Sequence, residues 1–180
     1  MATGFKLVKK KIVLRSRVFC IRHDKWRGPQ GGKKFFERDT VVHPGAVAIL
    51  PFDAQGRVLM LRQFRAPIED WLLEIPAGTL EPGEPPLACA KRELIEETGF
   101  AARRWRKLGV IYNAPGYSSE RIHLYKAWDL RPAHGEQDAD EHIELAVMTM
   151  SEVQGAVKDG RITDAKTLCA LLYDGFGPGR

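Results

Sequence analysis

Residues 78–100 read GTLEPGEPPLACAKRELIEETGF, and the way this stretch folds decides how the rest of the chain is read. Pro85 and Pro86 suit a first helical turn, where a missing N–H costs little, and Gly99 suits the left-handed residue that ends a helix. The spacing therefore predicts a helix of about four turns between them. At about 100° per residue, Glu93, Glu96 and Glu97 share one face, while Leu87, Ala90 and Leu94 form an adjoining apolar stripe. The stripe is expected to pack, leaving the carboxylates exposed together. Like charges three and four residues apart weaken a helix by about a few tenths of a kcal/mol per pair, so helix propensity does not account for the grouping. Either the face is simply solvated, the commoner use of helical charge, or a cation sits on it.

The whole chain is that of a globular protein. Its 180 residues suffice for one domain, or for one with a small appendage, and 44% of them are hydrophobic. Lys+Arg 28 against Asp+Glu 23 gives a formal charge of +5, which favours phosphate-bearing ligands without establishing nucleic-acid binding. Cys20, Cys89 and Cys169 are odd in number, widely spaced and without a CxxC pair, which argues for reduced thiols rather than a disulfide framework or a zinc site. No apolar run approaches the length of a membrane span, and the opening MATGFKLVKKK lacks an apolar signal-peptide core. The expectation is a cytoplasmic protein with neither membrane nor nucleic acid as partner.

Strands are expected at KIVLRSRVF (11–19) and KKFFERDTVV (33–42), joined by the loop DKWRGPQGG (24–32), so that residues 1–43 form a small N-terminal β unit. Residues 44–180 form the main domain. GAVAILPF and RVLMLRQF read as strands about the turn DAQG, and LLEIP leads into the quoted segment. Further strands are expected at WRKLGVIYN, RIHLYKAWDL and HIELAVMTM. One closing helix begins near Ser151, which can cap it, and another runs through DAKTLCALLY. Strands around a central helix, with helices at the end, predict an α/β domain with a mixed sheet between helices.

The quoted segment resembles the Nudix box. That pattern is Gly, five residues, Glu, seven residues, then Arg-Glu-apolar-any-Glu-Glu-any-Gly-apolar, and it is met by Gly78, Glu84, Arg92, Glu93, Leu94, Glu96, Glu97, Gly99 and Phe100. With about 5 to 10% usage at each fixed position, a chance match is below about one in ten million per starting point, which outweighs the solvated-face reading. The resemblance implies a Nudix α/β/α sandwich and hydrolysis of a nucleoside diphosphate linked to another group. The chemistry fits the residue types. Cutting a diphosphate builds charge on its bridging and non-bridging oxygens, so neutralisation is the main requirement. Mg2+ takes oxygen ligands and keeps some waters, so a few helix carboxylates suffice and Cys and His are not needed. Pro82-Gly83 reads as a turn that places Glu84 at the helix entrance, and Arg92, between acidic neighbours, reads as orienting a glutamate. By resemblance Glu93 and Glu97 ligate the metal, Glu96 assists as ligand or base, and the backbone carbonyl of Ala77 completes the site. Mg2+ is the implied cofactor, with Mn2+ as a substitute.

Fifteen residues beyond Phe100, Pro115 lies in NAPGYSSERIHLY, which resembles the proline-containing segment of ADP-ribose pyrophosphatases. RQFRAPIEDWLLEIPAG and DGRITDAKTLCALLY are similar to that subfamily's flanking and closing segments, and the N-terminal β unit to a part that often exchanges across a dimer. The resemblance covers residue 35 to the end. It implies a homodimer that converts ADP-ribose and water into AMP and ribose 5-phosphate. Arg65 and Glu120 would contact the substrate, and Arg38 would reach it from the partner subunit; a surface ion pair is the plainer use of such arginines. Trp71 suits either stacking on adenine or partial burial. In the acidic loop GEQDADEH, Glu141 would be a metal-facing, catalytic carboxylate. The subfamily's further glutamate two positions earlier is Ala139 here, which leaves the general base open among Glu141, Asp138, Asp140 and a helix glutamate. Two other readings remain: a Nudix enzyme for GDP-mannose or a dinucleoside polyphosphate, the latter suggested by Tyr117, and a non-catalytic nucleotide sensor or nucleic-acid binder using KLVKKK, which the intact glutamates disfavour.

Overall fold

The computed structural model describes residues 4–29, 35–135 and 142–176. They fall into two compact units, one made of residues up to 45 together with 112–121, the other of residues 46–111 and those from 122 onward.

In the first unit β1 (Lys6–Arg15), β2 (Cys20–Arg27) and β3 (Phe35–Val42) form a three-stranded antiparallel sheet. The sequence reading placed residues 24–32 in a loop, but Asp24 to Arg27 belong to β2, which pairs with β3 from Cys20↔Val42 to Arg27↔Phe35. The chain reverses earlier, where the Ser16 N–H donates to the Phe19 carbonyl at 2.9 Å, inside a run that reads as one strand because neither Gly nor Pro marks the turn. Asp24 is a poor strand former, and side chains hold it in place. It is 1% exposed and accepts hydrogen bonds from Arg22, at 2.6 and 2.8 Å, and from Thr40. The Arg22 guanidinium keeps its carboxyl below the usual range.

The second unit is organised by β4 (Ala46–Pro51). Strands β5 (Val58–Arg65), β6 (Asp70–Glu74) and β7 (Ala77–Thr79) precede helix α1 (Pro86–Thr98), which is followed by β8 (Phe100–Tyr112), β9 (Arg121–Pro132), β10 (Ile143–Met148), α2 (Met150–Lys158) and α3 (Ala165–Phe176). β4 pairs antiparallel with β7 and parallel with β9 in a sheet of order β7-β4-β9-β8; a second sheet has the order β10-β5-β6. Successive strand residues point to opposite faces, and both faces of β4 are covered, so its run is apolar throughout. Val47 and Ile49 pack with Cys89, Ala90 and Leu94 of α1, whereas Ala48 and Leu50 pack with Val153 and Ala156 of α2 and Ala170 of α3. This is the expected α/β arrangement, a mixed sheet between helices.

Helix α1 runs between Pro85 and Gly99 as the sequence predicts. Gly99 has φ 72°, a left-handed conformation that favours glycine, and donates its N–H to Ile95. The buried stripe differs by one position: Leu87 is 37% exposed, and Cys89 joins Ala90 and Leu94 in the core. Helix α2 is capped by Thr149 instead of Ser151. The Thr149 side chain accepts from the Glu152 N–H, and a Glu152 carboxylate oxygen accepts from the Thr149 N–H at 2.7 Å. Ser151 has Gln154 at the corresponding distance, but Thr149 also brings a carboxylate into the first turn, where the helix dipole favours negative charge. Among the described residues no helix is long and apolar enough to cross a membrane. Thr149→Ala is expected to lower stability by about 1 kcal/mol in urea denaturation, and Ser151→Ala to stay within about 0.5 kcal/mol.

Candidate active site

Helix α1 packs against β4 and β7, so the strand that enters the glutamate segment also lies over its helix. Gly78 makes this approach feasible: a Cβ there would fall 1.8 Å from Cδ of Glu93. One residue earlier, the Ala77 N–H donates to Oε2 of Glu97 at 2.8 Å, and Glu97 is 6% exposed. The expectation that the carboxylates stand exposed therefore needs correction. The close strand covers part of the face, which a helical wheel cannot show.

Arg92 organises the remainder. Its guanidinium donates to Glu84 at 3.0 and 3.1 Å, to Glu93 at 2.7 Å and to Glu96 at 2.9 Å, and it approaches the Thr79 carbonyl at 3.4 Å. One cation thus meets three carboxylates and offsets the like-charge repulsion between them. These bonds hold the Glu84 carboxyl far below its ordinary value, at about 2, and push the Arg92 pKa up. Cys89 sits beneath the same group. Burial first, then the Glu84 and Glu93 charges, raise its thiol pKa well above normal, so it stays protonated.

The polar groups on this face therefore suit a hard divalent cation. Carboxylates and backbone carbonyls are present, the thiol is neutral, and the missing side chain at Gly78 leaves room for Glu93. Among the described residues no group of three or more His, Cys, Asp or Glu converges closely enough to form a complete cage. Mg2+ does not require one, because it keeps several waters and is held by one or two carboxylates with substrate phosphate.

The other residues singled out from the sequence have contacts of their own. Arg65, at the end of β5, bonds at 2.5 Å to Glu74, which is 1% exposed. Trp71 is partly buried against Phe64, with the Arg62 guanidinium 4.8 Å from its ring centre. In the first unit Arg38 stands over the Phe36 ring and lines a cleft of 330 Å3 with Phe5, Trp26, Thr40 and Tyr117. Glu120, in the same unit, accepts from Asn113 at 2.9 Å and lies 3.7 Å from His43. Asp138, Ala139, Asp140 and Glu141 lie outside the described residues. The sequence reading missed the buried Glu74 and its second partner, Lys166, at 2.7 Å. A lone glutamate inside the apolar run LLEIP was the available signal, since such a residue is rarely buried unless paired.

A mixed sheet between helices, carrying an arginine-bound ridge of glutamates on one helix, defines the class of Nudix hydrolases. The NUDIX domain profile matches residues 42–171, and the chain belongs to that family. It is 36% identical over 170 residues to the ADP-ribose pyrophosphatase of Bacillus subtilis (strain 168), covering 93% of this chain and 91% of that one. The methanol dehydrogenase activator of Bacillus methanolicus matches with the same identity and coverage. The GDP-mannose pyrophosphatase of Pectobacterium atrosepticum is 33% identical over 188 residues, covering 96% and 95%. The crystal structure of an ADP compounds hydrolase superposes with a TM-score of 0.81 at 26% identity, covering 96% of this chain and 92% of that one.

Two outcomes test this geometry. Because the folded pKa of Glu84 lies below its ordinary value, its pairing stabilises the protein above that value and is lost as pH falls towards about 2. Acid titration in metal-free buffer should show the native protein losing stability between about pH 5 and pH 2, and Glu84→Gln losing less over that window. Gly78→Ala, which displaces Glu93, should lower kcat/KM by about 10²-fold in steady-state assays while the far-UV circular dichroism spectrum is unchanged.

Proposed function

We propose that this protein hydrolyses the diphosphate of ADP-ribose to AMP and ribose 5-phosphate in an Mg2+-dependent reaction. The observation that carries the reading is the ridge of Glu84, Glu93 and Glu96 gathered by Arg92, in a chain whose likeness to an ADP-ribose pyrophosphatase runs nearly from end to end. Hydrolysis forms one P–O bond from water, breaks the bridging P–O bond, and transfers a proton from the water to a base. Glu96 or Glu141 is proposed as that base. The Ala77 carbonyl, Glu93, Glu97 and Glu141 would hold Mg2+, which when bound neutralises charge gathering on the diphosphate oxygens. Arg92 keeps the carboxylates together, and the Ala77 N–H fixes one oxygen of Glu97.

Arg65 and Glu120 are proposed to contact the substrate, with Arg38 serving the site of the partner subunit in a homodimer. The aromatic walls around Arg38 support this part of the reading, since aromatic faces and a guanidinium suit a nucleobase. Reduced cysteines suit the cytoplasm, where we place the reaction. A second reading, hydrolysis of GDP-mannose, is favoured by the similarity to the Pectobacterium atrosepticum enzyme.

Side-by-side turnover of ADP-ribose, GDP-mannose, NADH and diadenosine polyphosphates with Mg2+ separates these readings. ADP-ribose should give the highest kcat/KM; equal or absent turnover would reject it. Glu97→Gln should lower kcat by about 10²-fold or more if it removes a ligand charge, and near-native activity would contradict the ligand assignment.

A further inference from the structure

Glu74 carries a charge in a place where an apolar side chain would hold the sheet as well. It ends β6 opposite Leu61 of β5, is 1% exposed, and each of its oxygens meets one cation: Oε1 accepts from Arg65 Nη2 at 2.5 Å and Oε2 from Lys166 Nζ at 2.7 Å. Lys166 also donates to Asp164 at 3.0 Å. The other Asp164 oxygen accepts from the Thr167 N–H at 2.9 Å and from the Thr167 hydroxyl at 2.6 Å, and that hydroxyl accepts from the Ile75 N–H at 3.0 Å. The chain of bonds returns to the residue beside Glu74. Thr167 is fully buried and the Lys166 side chain is 12% exposed, so the Arg65 side chain, at 35%, is the open end.

A guanidinium has five N–H groups in a rigid fork. Among the described residues the Arg65 guanidinium spends one of them, on Glu74, and makes no second hydrogen bond. An arginine held from behind by an immobile carboxylate presents its remaining donors in a fixed direction, with little conformational entropy left to lose on meeting an oxyanion.

We propose that Glu74 is a positioning residue for the substrate and acts through Arg65. Glu74 aims the free edge of the guanidinium at an oxygen of the nucleoside diphosphate, and Lys166, with Asp164 and Thr167 behind it, keeps Glu74 in place. This rests on the reading of Arg65 as a substrate contact. The network also indicates which variants are tolerated: Arg65→Ala leaves Glu74 paired with Lys166, and Glu74→Gln leaves Lys166 paired with Asp164.

The test is a double-mutant cycle on the full chain with ADP-ribose and saturating Mg2+, reading KM and kcat separately. Arg65→Ala and Glu74→Gln should each raise KM by about 10-fold with kcat within about 3-fold, and the double variant should match Arg65→Ala alone. Glu74→Asp keeps the charge but withdraws it by one methylene, so it should raise KM as well; it carries the same cycle if the glutamine variant does not fold. Losses that multiply in the double variant, or a fall in melting temperature and kcat with KM unchanged, would show Glu74 to be structural and overturn the proposal. A native KM for Glu74→Gln beside a raised KM for Arg65→Ala would also overturn it, leaving Arg65 as a contact. A native KM for Arg65→Ala would instead sink the reading of Arg65, and the proposal with it.

Discussion

Glu84, Glu93 and Glu96 would repel one another if they were left alone, and the Arg92 guanidinium is what allows them to stay together. It sits among them at 2.7 to 3.1 Å and fixes the direction of each carboxylate. The rest of the second unit serves that contact. The αL turn at Gly99 ends the helix, the buried Cys89, Ala90 and Leu94 seat it on β4, and Gly78 lets a strand pass close enough to cover Glu93 and to engage Glu97 from Ala77. A carboxylate ridge without the guanidinium would be a charged surface whose side chains turn towards water. With it, the face is partly dry, and each carboxylate has a partner that sets its direction.

The segment from Glu74 to Ala77 connects this ridge to the opposite helical layer. Glu74 and Ile75 are tied to Lys166 and Thr167 of α3, the Pro76 carbonyl accepts from Ile49 of β4 at 2.8 Å, and Ala77 is tied to Glu97 of α1. Consecutive residues are thus gripped by α3, by the central strand and by α1. The backbone on which the proposed Ala77 ligand sits has little freedom, and the rigidity comes from both faces of the sheet.

Much of the main domain was legible in the sequence because its signals are local. Pro85 and Gly99 bracket α1, the β-rich run of β4 announces a strand, and the spacing of Glu93, Glu96 and Glu97 specifies a shared face. What was not legible depends on partners distant along the chain. The turn at Ser16–Phe19 contains neither Gly nor Pro, so two strands read as one, and Asp24 looks like a loop residue until Arg22 and Thr40 are placed beside it. Glu97 reads as exposed until β7 covers it. Glu74 and Lys166 lie 92 residues apart, and no periodicity joins them.

Cys89 is set apart from the carboxylates by its depth in the helix. Its sulfur lies under the carboxylates, 3.4 Å from Arg92 Nη2, yet it is fully buried and kept protonated. Soft metals such as cadmium or copper(I) gain their advantage from thiolate, and this sulfur is out of reach and in the wrong charge state. The depth at which the helix places this thiol withholds it from soft metals and shields it from alkylating and oxidising reagents.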